Sequence, residues 1–310
     1  MRIQFLAIAA LITIPFQAGC DPEALAGGDS VREDFQYSYD LRPGGRVSVE
    51  TFNGSVEVLS WEKDAVQITG TKYAPREEDL ASIRIDVKAD DDSVQVRVVR
   101  PELRRGHMGA KFFIRVPQRV RLDLIRSANG PIRVEDVEGD SRLETSNGAI
   151  RVRKIVGRLD ARTSNGGIEG GDLEGAAVLR TSNGAIRMDR IRGGVQATTS
   201  NGPIQISMMA PPAGERLEFT TSNGSIDLGF AELPGNEVRA STSNASLTLR
   251  IPSTTRAQLR AATSNGSVTS ELDVNTHGAP NKNRLEGELN GGGPLIHLTT
   301  SNGSIRLLRQ

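Results

Sequence analysis

The sequence predicts an all-β fold: a parallel β-solenoid (β-helix) with coils of 18–22 residues, preceded by a less regular β-rich N-terminal part. The first observation is that five Asn-Gly pairs lie 18 residues apart, starting at Asn129, Asn147, Asn165, Asn183 and Asn201. The second is that apolar and polar residues alternate on both sides of each pair. A fixed period indicates stacked copies of one small unit, and the alternation indicates two short strands per copy.

Further copies of the motif follow at less regular intervals. Asn223 comes after 22 residues, Asn244 and Asn265 after 21 each, and Asn302 after 37, while one early copy surrounds Asn53. We therefore expect all of these asparagines to mark equivalent turns of one repeated structure.

The apolar and Thr positions of a repeat lie at −4, −2, +3, +5 and +8 relative to its Asn. In one repeat they are occupied by Leu143, Thr145, Ile150, Val152 and Ile155. We expect these side chains to form the buried face of the two strands. A second Gly recurs at +10 in the regular repeats, where it can provide a positive φ at the next corner.

Two topologies fit this pattern. A meander of β-hairpins suits Asn-Gly between alternating strands, whereas a solenoid suits a constant repeat length. Pro131 and Pro203 directly follow an Asn-Gly pair, at a position where a hairpin turn needs an N–H that Pro lacks. Eighteen residues at about 3.3 Å each also suffice for two short strands and the corners between sheets about 10 Å apart. These arguments favour the solenoid.

The Thr-Ser-Asn-Gly sequence itself allows two interpretations. It can form a corner in which each Asn stacks on its copies and forms hydrogen bonds along the stack, as Asn ladders do elsewhere. It can also form an exposed polar stripe that recognises a sugar or another hydrophilic surface. Asn244-Ala245 loses the Gly but keeps the Asn, which is compatible with both.

The N-terminus has the layout of an export signal. Arg2 precedes a short apolar run, and Ala-Gly-Cys at the end of residues 1–20 resembles a bacterial lipobox, which implies lipidation of Cys20 and a membrane anchor. A cleaved signal with an unmodified Cys20 is the alternative. Residues 21–34 are expected to be a tether, residues 35–127 the β-rich N-terminal part, and residues 128–310 the regular repeats.

Other features limit the function. A formal charge of zero and 4% aromatic residues argue against nucleic-acid binding, and the three histidines are far apart in sequence, which argues against a metal site. No nucleophile-elbow motif or paired carboxylates occur, so we expect no cofactor and no catalysis. An insertion at 273–284 is a possible binding loop, with the polar residues His277, Asn281, Lys282 and Asn283. No capping segment follows the last repeat, so we expect its open end to be covered by an inserted loop or by another protein, which could be a second copy of the chain.

The Val116-Pro117 and Ile251-Pro252 strands, the run of Ser-Asn-Gly turns and the closing segment 292–305 together resemble a bacterial adhesin-like family of unknown function related to head GIN domains. This resemblance covers about residues 45–310 and implies a β-helical exported protein without catalytic residues.

We therefore expect a non-enzymatic cell-envelope lipoprotein, facing the periplasm or the cell surface. Its solenoid would serve adhesion or assembly, with a glycan or an envelope protein as partner. The alternatives are an envelope scaffold or signalling protein that binds a membrane partner, and a polysaccharide-active β-helix enzyme.

Overall fold

The computed structural model describes residues 30–99, 107–276 and 281–310 of the 310-residue chain. Cys20 and the predicted signal lie outside the described residues, as does His277 of the predicted loop. The N-terminal elements are β1 (Val31–Asp40), β2 (Arg46–Thr51), β3 (Val56–Trp61), β4 (Ala65–Ala74), α1 (Glu77–Ala81), β5 (Arg84–Asp90), β6 (Ser93–Val99) and β7 (Gly109–Pro117).

The central elements are β8 (Arg121–Ser127), β9 (Ile132–Glu138), β10 (Ser141–Thr145), β11 (Ile150–Val156), β12 (Leu159–Arg162), β13 (Ile168–Glu174), β14 (Ala177–Arg180), β15 (Ile186–Arg192), β16 (Val195–Thr198), β17 (Ile204–Met208), β18 (Leu217–Thr220), β19 (Ile226–Phe230), β20 (Val238–Ser241) and β21 (Leu247–Ile251). The C-terminal elements are β22 (Ala257–Thr263), β23 (Val268–Ser270), β24 (Asn275–Thr276), β25 (Arg284–Leu289), β26 (Leu295–Thr300) and β27 (Ile305–Arg309).

The strands form two long sheets, and each coil contributes one strand to each. Sheet 1 has 13 strands in the order β1-β4-β7-β3-β9-β11-β13-β15-β17-β19-β21-β27-β23. Sheet 2 has 14 strands in the order β24-β25-β22-β26-β20-β18-β16-β14-β12-β10-β8-β2-β6-β5.

Central strands pair in parallel and in register by one coil. Ile150 of β11, for example, lies beside Ile132 on one side and Ile168 on the other. A hairpin meander would instead join neighbours antiparallel. The predicted parallel solenoid is therefore confirmed, and the meander is excluded.

The core lies between the two sheets and follows the predicted positions. Leu143, Ile150, Val152 and Ile155 of one repeat are all buried, with exposed fractions of 3% or less. The same core cluster continues without a break into the N-terminal part of the chain, where Val47 is buried in the same way. Residues 35–127 and the regular repeats therefore share one hydrophobic core.

At the N-terminal end the coils are not stacked in sequence order. The coil of β2 and β3, which contains Asn53, lies between the later coils β6–β7 and β8–β9. Antiparallel strands then cover the end, with β4 on β7, β1 on β4, and β5 on β6. Residues 31–34, expected to be tether, are the first part of β1 because they pair with β4.

The C-terminal end shows the same arrangement. Strands β26 and β27 lie between the coil of β20 and β21 and the coil of β22 and β23. Strands β25 and β24 then cover sheet 2 antiparallel. Strand β27 is paired with β21 on one side and with β23 on the other, so the last repeat is covered by an earlier segment of the chain, in agreement with one of the two alternatives. Strand β23 is the edge of sheet 1 at this end, and a homo-oligomer formed there stays a prediction.

Candidate functional site

The repeated asparagines form one continuous hydrogen-bond ladder along a corner of the solenoid. Each Nδ2 donates to the Oδ1 of the Asn in the adjacent coil over 2.6–2.8 Å. At one end, Asn53 Nδ2 donates to the Met108 carbonyl at 2.9 Å. The order along the ladder is Asn53, Asn129, Asn147, Asn165, Asn183, Asn201, Asn223, Asn244, Asn302 and Asn265.

A second ladder, of threonines, lies inside the same corner. Thr181 Oγ1 donates to the carbonyl of Gly166 in the preceding coil at 2.9 Å and accepts from the N–H of Gly184 at 3.2 Å. Thr181 is only 7% exposed, so its hydroxyl satisfies polar groups that water reaches poorly. The Thr position therefore points inward, as its spacing predicts.

Close stacking explains the Gly that follows nine of the ten ladder asparagines; Asn244 is followed by Ala245. A Cβ on Gly184 would lie 1.8 Å from the Gly166 carbonyl oxygen, and its φ is not positive. The turn thus needs Gly for space between coils rather than for a left-handed conformation. The ladder interpretation of the motif agrees with this geometry, while recognition of a sugar by the exposed Ser and Asn edge stays a prediction.

The predicted binding loop contributes backbone to the end of the solenoid. The Lys282 carbonyl accepts the N–H of Val268, and the Asn283 carbonyl accepts the N–H of Thr263, both at 2.9 Å. Asn283 Nδ2 also donates to the Ser264 carbonyl at 3.3 Å, a position that the next coil occupies elsewhere. Asn281 and Lys282 keep exposed side chains, so a binding role for them stays a prediction.

Sheet 1 carries two broad grooves on its outer face. The N-terminal groove, of about 560 Å³, is lined by residues that include Gln36, Thr69, Thr71, Lys111 and Phe113. Beside it, the guanidinium of Arg115 lies between the rings of Trp61 and Phe113, at 5.8 and 5.6 Å. This groove therefore combines hydrogen-bonding groups with an aromatic wall.

The central groove, of about 680 Å³, crosses β13 to β21. Its charged side chains are paired with one another. Arg187 lies 3.5 Å from Glu169 and donates to Gln205 at 3.0 Å, while Arg250 pairs with Asp227.

A third depression lies where four coils contain a β-bulge. Asp136, Lys154, Asp172 and Arg190, all at +7, have φ between 50° and 60°, and the ladder skips this residue between Arg153 and Ile155. Left-handed backbone costs a non-Gly residue roughly 1–3 kcal/mol. Coils β17, β19 and β21 build the same sheet without it. The bulge is therefore not needed for the fold.

The bulge groove, of about 320 Å³, runs along this column. Gln118, which donates to Glu138 at 3.1 Å, and Met209 line it together with the bulge residues. Val156, 47% exposed, is the one exposed large hydrophobic side chain among the described residues, and it lines the same groove.

Charge pairing within the bulge groove is uneven. Arg190 binds Asp172 through two hydrogen bonds of 2.6 and 2.9 Å. The hydrogen bond from Arg190 lowers the pKa of Asp172, and the same contact raises the pKa of Arg190. Lys154, Glu174 and Arg192 also line the groove, but none of them forms an ion pair or a side-chain hydrogen bond within the described part of the chain. The bulge groove is thus lined by positively and negatively charged side chains that have no ion-pair partner in the described structure.

Neither a metal-binding cluster of His, Cys, Asp or Glu nor a helix able to cross a membrane occurs in residues 30–99, 107–276 and 281–310. Sequence reasoning missed the bulge groove. The signal was present in the repeat, because apolar positions at +5 and +8 are three residues apart and one residue must leave the strand alternation.

Comparison with known proteins gives one family match. The model of the Toastrack DUF4097 family matches residues 45–250. No curated protein matches the sequence significantly.

Solved structures that match this chain include a "putative adhesin" from Bacteroides fragilis, with 15% identity, a TM-score of 0.44 and coverage of 89% of this chain and 97% of that chain. Another "putative adhesin", from Parabacteroides distasonis, has 11% identity, a TM-score of 0.29 and coverage of 89% and 97%. A "putative cell adhesion protein" from Clostridium sporogenes has 10% identity, a TM-score of 0.24 and coverage of 90% and 100%. At these identities and TM-scores, the similarities carry no argument about function.

Proposed function

The chain belongs to the Toastrack DUF4097 family, and on this premise we propose that it is a non-enzymatic binding protein of the cell envelope. Its partner is an extended polymer, either a glycan or a segment of an envelope protein. The observation that carries this proposal is the position of the concave surfaces. The N-terminal, central and bulge grooves are all formed by sheet 1. Of two further depressions in the described structure, one of about 610 Å³ is lined by loop residues around Pro234, Pro252 and Pro294, and one of about 240 Å³ lies on sheet 2.

The architecture supports this role. A stack of coils with one continuous core and a saturated hydrogen-bonded corner is a rigid scaffold, and outward side chains on such a scaffold can be positioned accurately. A long groove lined by paired polar side chains can also bind a polymer without any catalytic group. In the central groove, Glu169 and Asp227 are each paired with an arginine, so their side chains are held in place on the surface that a polymer would contact.

Photo-crosslinking in intact cells tests this function. A benzophenone amino acid replaces Gln205, which lines the central groove on sheet 1, and in a matched variant replaces Gln196, an exposed Gln on β16 of sheet 2. We expect the Gln205 variant to yield a reproducible covalent adduct and the Gln196 variant to yield none. Equal adducts at both positions, or adducts at Gln196 alone, would contradict a binding role for sheet 1.

We further propose that the mature chain is held at a membrane through a lipid on Cys20. The sequence context of Cys20 supports this, as does the export signal before it. Cys20→Ala is expected to move the protein from the membrane fraction to the soluble fraction without altering its circular dichroism spectrum. A variant that stays in the membrane fraction after a high-salt wash would contradict lipid anchoring.

A further inference from the structure

The bulge groove contains a pattern of free charges that its own residues leave incomplete. Lys154, Glu174 and Arg192 belong to three consecutive coils, which are about 4.8 Å apart in the sheet. Along the axis, the unpaired groups therefore alternate in sign as plus, minus, plus. Glu174 and Arg192 occupy directly paired backbone positions, yet their charged atoms do not form an ion pair in the described structure.

Neighbouring charges in the same groove are already used. Asp172 is bound by Arg190, Asp136 accepts a hydrogen bond from Ser60 at 3.1 Å, and Glu138 accepts one from Gln118. Lys154 forms no ion pair or side-chain hydrogen bond in the described structure, although its charge contributes to the lowered pKa of Asp172. Glu174 and Arg192 can each accept a partner of opposite charge without losing an ion pair or a side-chain hydrogen bond of the described structure.

Apolar surface lies between these charges. Val156 follows Lys154 by two residues in the same coil and is 47% exposed, and Met209 also lines the groove. Isolated exposed hydrophobic residues are ordinary in proteins, but this one coincides with a column of left-handed backbone that the fold does not need. Bulges commonly re-aim side chains next to functional sites.

We propose that the bulge groove binds an extended peptide segment that carries charges in the order minus, plus, minus, with small apolar side chains between them. This inference rests on the proposed function, because it assigns one ligand class to one groove of sheet 1. A neutral glycan would leave all three charges unpaired on binding, and a purely anionic one would leave Glu174 facing like charge. Only a ligand that carries both positive and negative charges can form ion pairs with all three groups.

The dimensions agree with a peptide. In an extended chain, side chains on one face recur about every 6.6 Å. Glu174 and Arg192 are directly paired and lie about 4.8 Å apart, whereas Lys154 lies two residues before Val156, the partner of Glu174, and is therefore farther away. The length of the Lys, Glu and Arg side chains can absorb these differences. A segment of about five residues would then span the three coils.

Two synthetic pentapeptides test this with the full chain as purified from cells. One is acetyl-Glu-Ala-Lys-Ala-Glu-amide, and the other is its charge-reversed counterpart, acetyl-Lys-Ala-Glu-Ala-Lys-amide. We expect the first to bind at least about tenfold more tightly by fluorescence anisotropy or calorimetry, with the difference reduced at high salt.

The triple variant Lys154→Glu, Glu174→Lys and Arg192→Glu should reverse this preference. The matched control is Arg180→Glu, an exposed Arg on β14 of sheet 2 without an ion pair in the described structure; it should bind both peptides as the unchanged chain does. The reversal is a gain of binding to the second peptide, so a misfolded variant could not produce it.

Equal binding of both peptides, no binding of either, or the same preference in the triple variant would overturn the peptide proposal. Binding of an oligogalacturonate in this groove in preference to the first peptide would also overturn it and would identify an anionic glycan as ligand. If crosslinking at Gln205 succeeds in cells while the peptides fail, the proposed function stands and only the ligand assigned to the bulge groove is wrong.

Discussion

Replacing one inward Thr of the repeat tests whether the hydroxyl ladder stabilises the solenoid. Thr181→Val keeps the shape of the side chain but removes Oγ1, which donates to the Gly166 carbonyl and accepts from the Gly184 N–H. Both partners then lose a bond in a region where Thr181 itself is 7% exposed. A buried group left without a partner costs about 1–3 kcal/mol.

Because Gly166 and Gly184 are each partly exposed, the cost of leaving each backbone group without its partner should lie in the lower part of that energy range. The expected loss is about 2–3 kcal/mol in the free energy of unfolding. Thr198→Val is the matched control, because Thr198 lies on the outer face of β16 and is exposed. This control should change stability by no more than about 0.5 kcal/mol.

Urea unfolding followed by far-ultraviolet circular dichroism measures both variants. A repeat protein can unfold in segments, so the slope of the transition must be compared as well as its midpoint. If the two variants unfold at the same urea concentration, the buried hydroxyl does not stabilise the corner and the reasoning fails.

Three further predictions concern the stack, the bulge and the C-terminal coil. Gly184→Ala should lower the free energy of unfolding by about 1–3 kcal/mol. Gly229→Ala should be neutral or slightly stabilising, because its Cβ would meet only Gln310 Oε1 at 3.7 Å. The same urea titration measures the difference in stability between the two variants. By carboxyl NMR, Asp172 should titrate below the ordinary Asp pKa of about 3.9, and Arg190→Gln should return it toward that value. Since the folded pKa is the lower one, any stabilisation from this carboxylate is present above the unfolded pKa and is lost as pH falls through the folded pKa. Deletion of residues 294–310 should make the segment from β22 to β25 sensitive to limited proteolysis, because β26 and β27 join it to the rest of both sheets; an unchanged proteolytic pattern would contradict this role.

Much of the repeat could be predicted from its sequence because period and burial reinforce each other. Residues at +3 and +5, such as Ile150 and Val152, form the buried face of one strand. In the other strand, Thr145 follows Leu143 by two residues, so its hydroxyl points to the buried face as Leu143 does. The Asn ladder follows from stacking identical amides at the spacing of strands. Each of these features depends only on one coil and its copy.

The order of the coils could not be predicted in this way. Every copy presents nearly the same backbone edge, so the motif does not specify which copy lies beside which. The spacing of 37 residues before Asn302 shows that an excursion occurs, but not that the chain returns between Asn244 and Asn265. That choice depends on strands β24 and β25, whose antiparallel pairing has no signature in the repeat.

In both end regions of the solenoid, one coil is inserted between two others and is therefore paired on both sides. The coil of Asn53 near the start of the described chain and the coil of Asn302 near its end each lie between two other coils. Antiparallel strands cover both β6 and β7 of the coil outside the first of them, and β22 of the coil outside the second, whose β23 is the edge strand of sheet 1. Fraying from either inserted coil must break hydrogen bonds on two sides, whereas fraying of a terminal strand breaks them on one. The edge strands that remain are β1 and β23 in sheet 1 and β5 and β24 in sheet 2, and β23 and β24 are short, which limits edge pairing with other chains at the C-terminal end. Recognition by side chains on the faces therefore centres on sheet 1, which carries the N-terminal, central and bulge grooves.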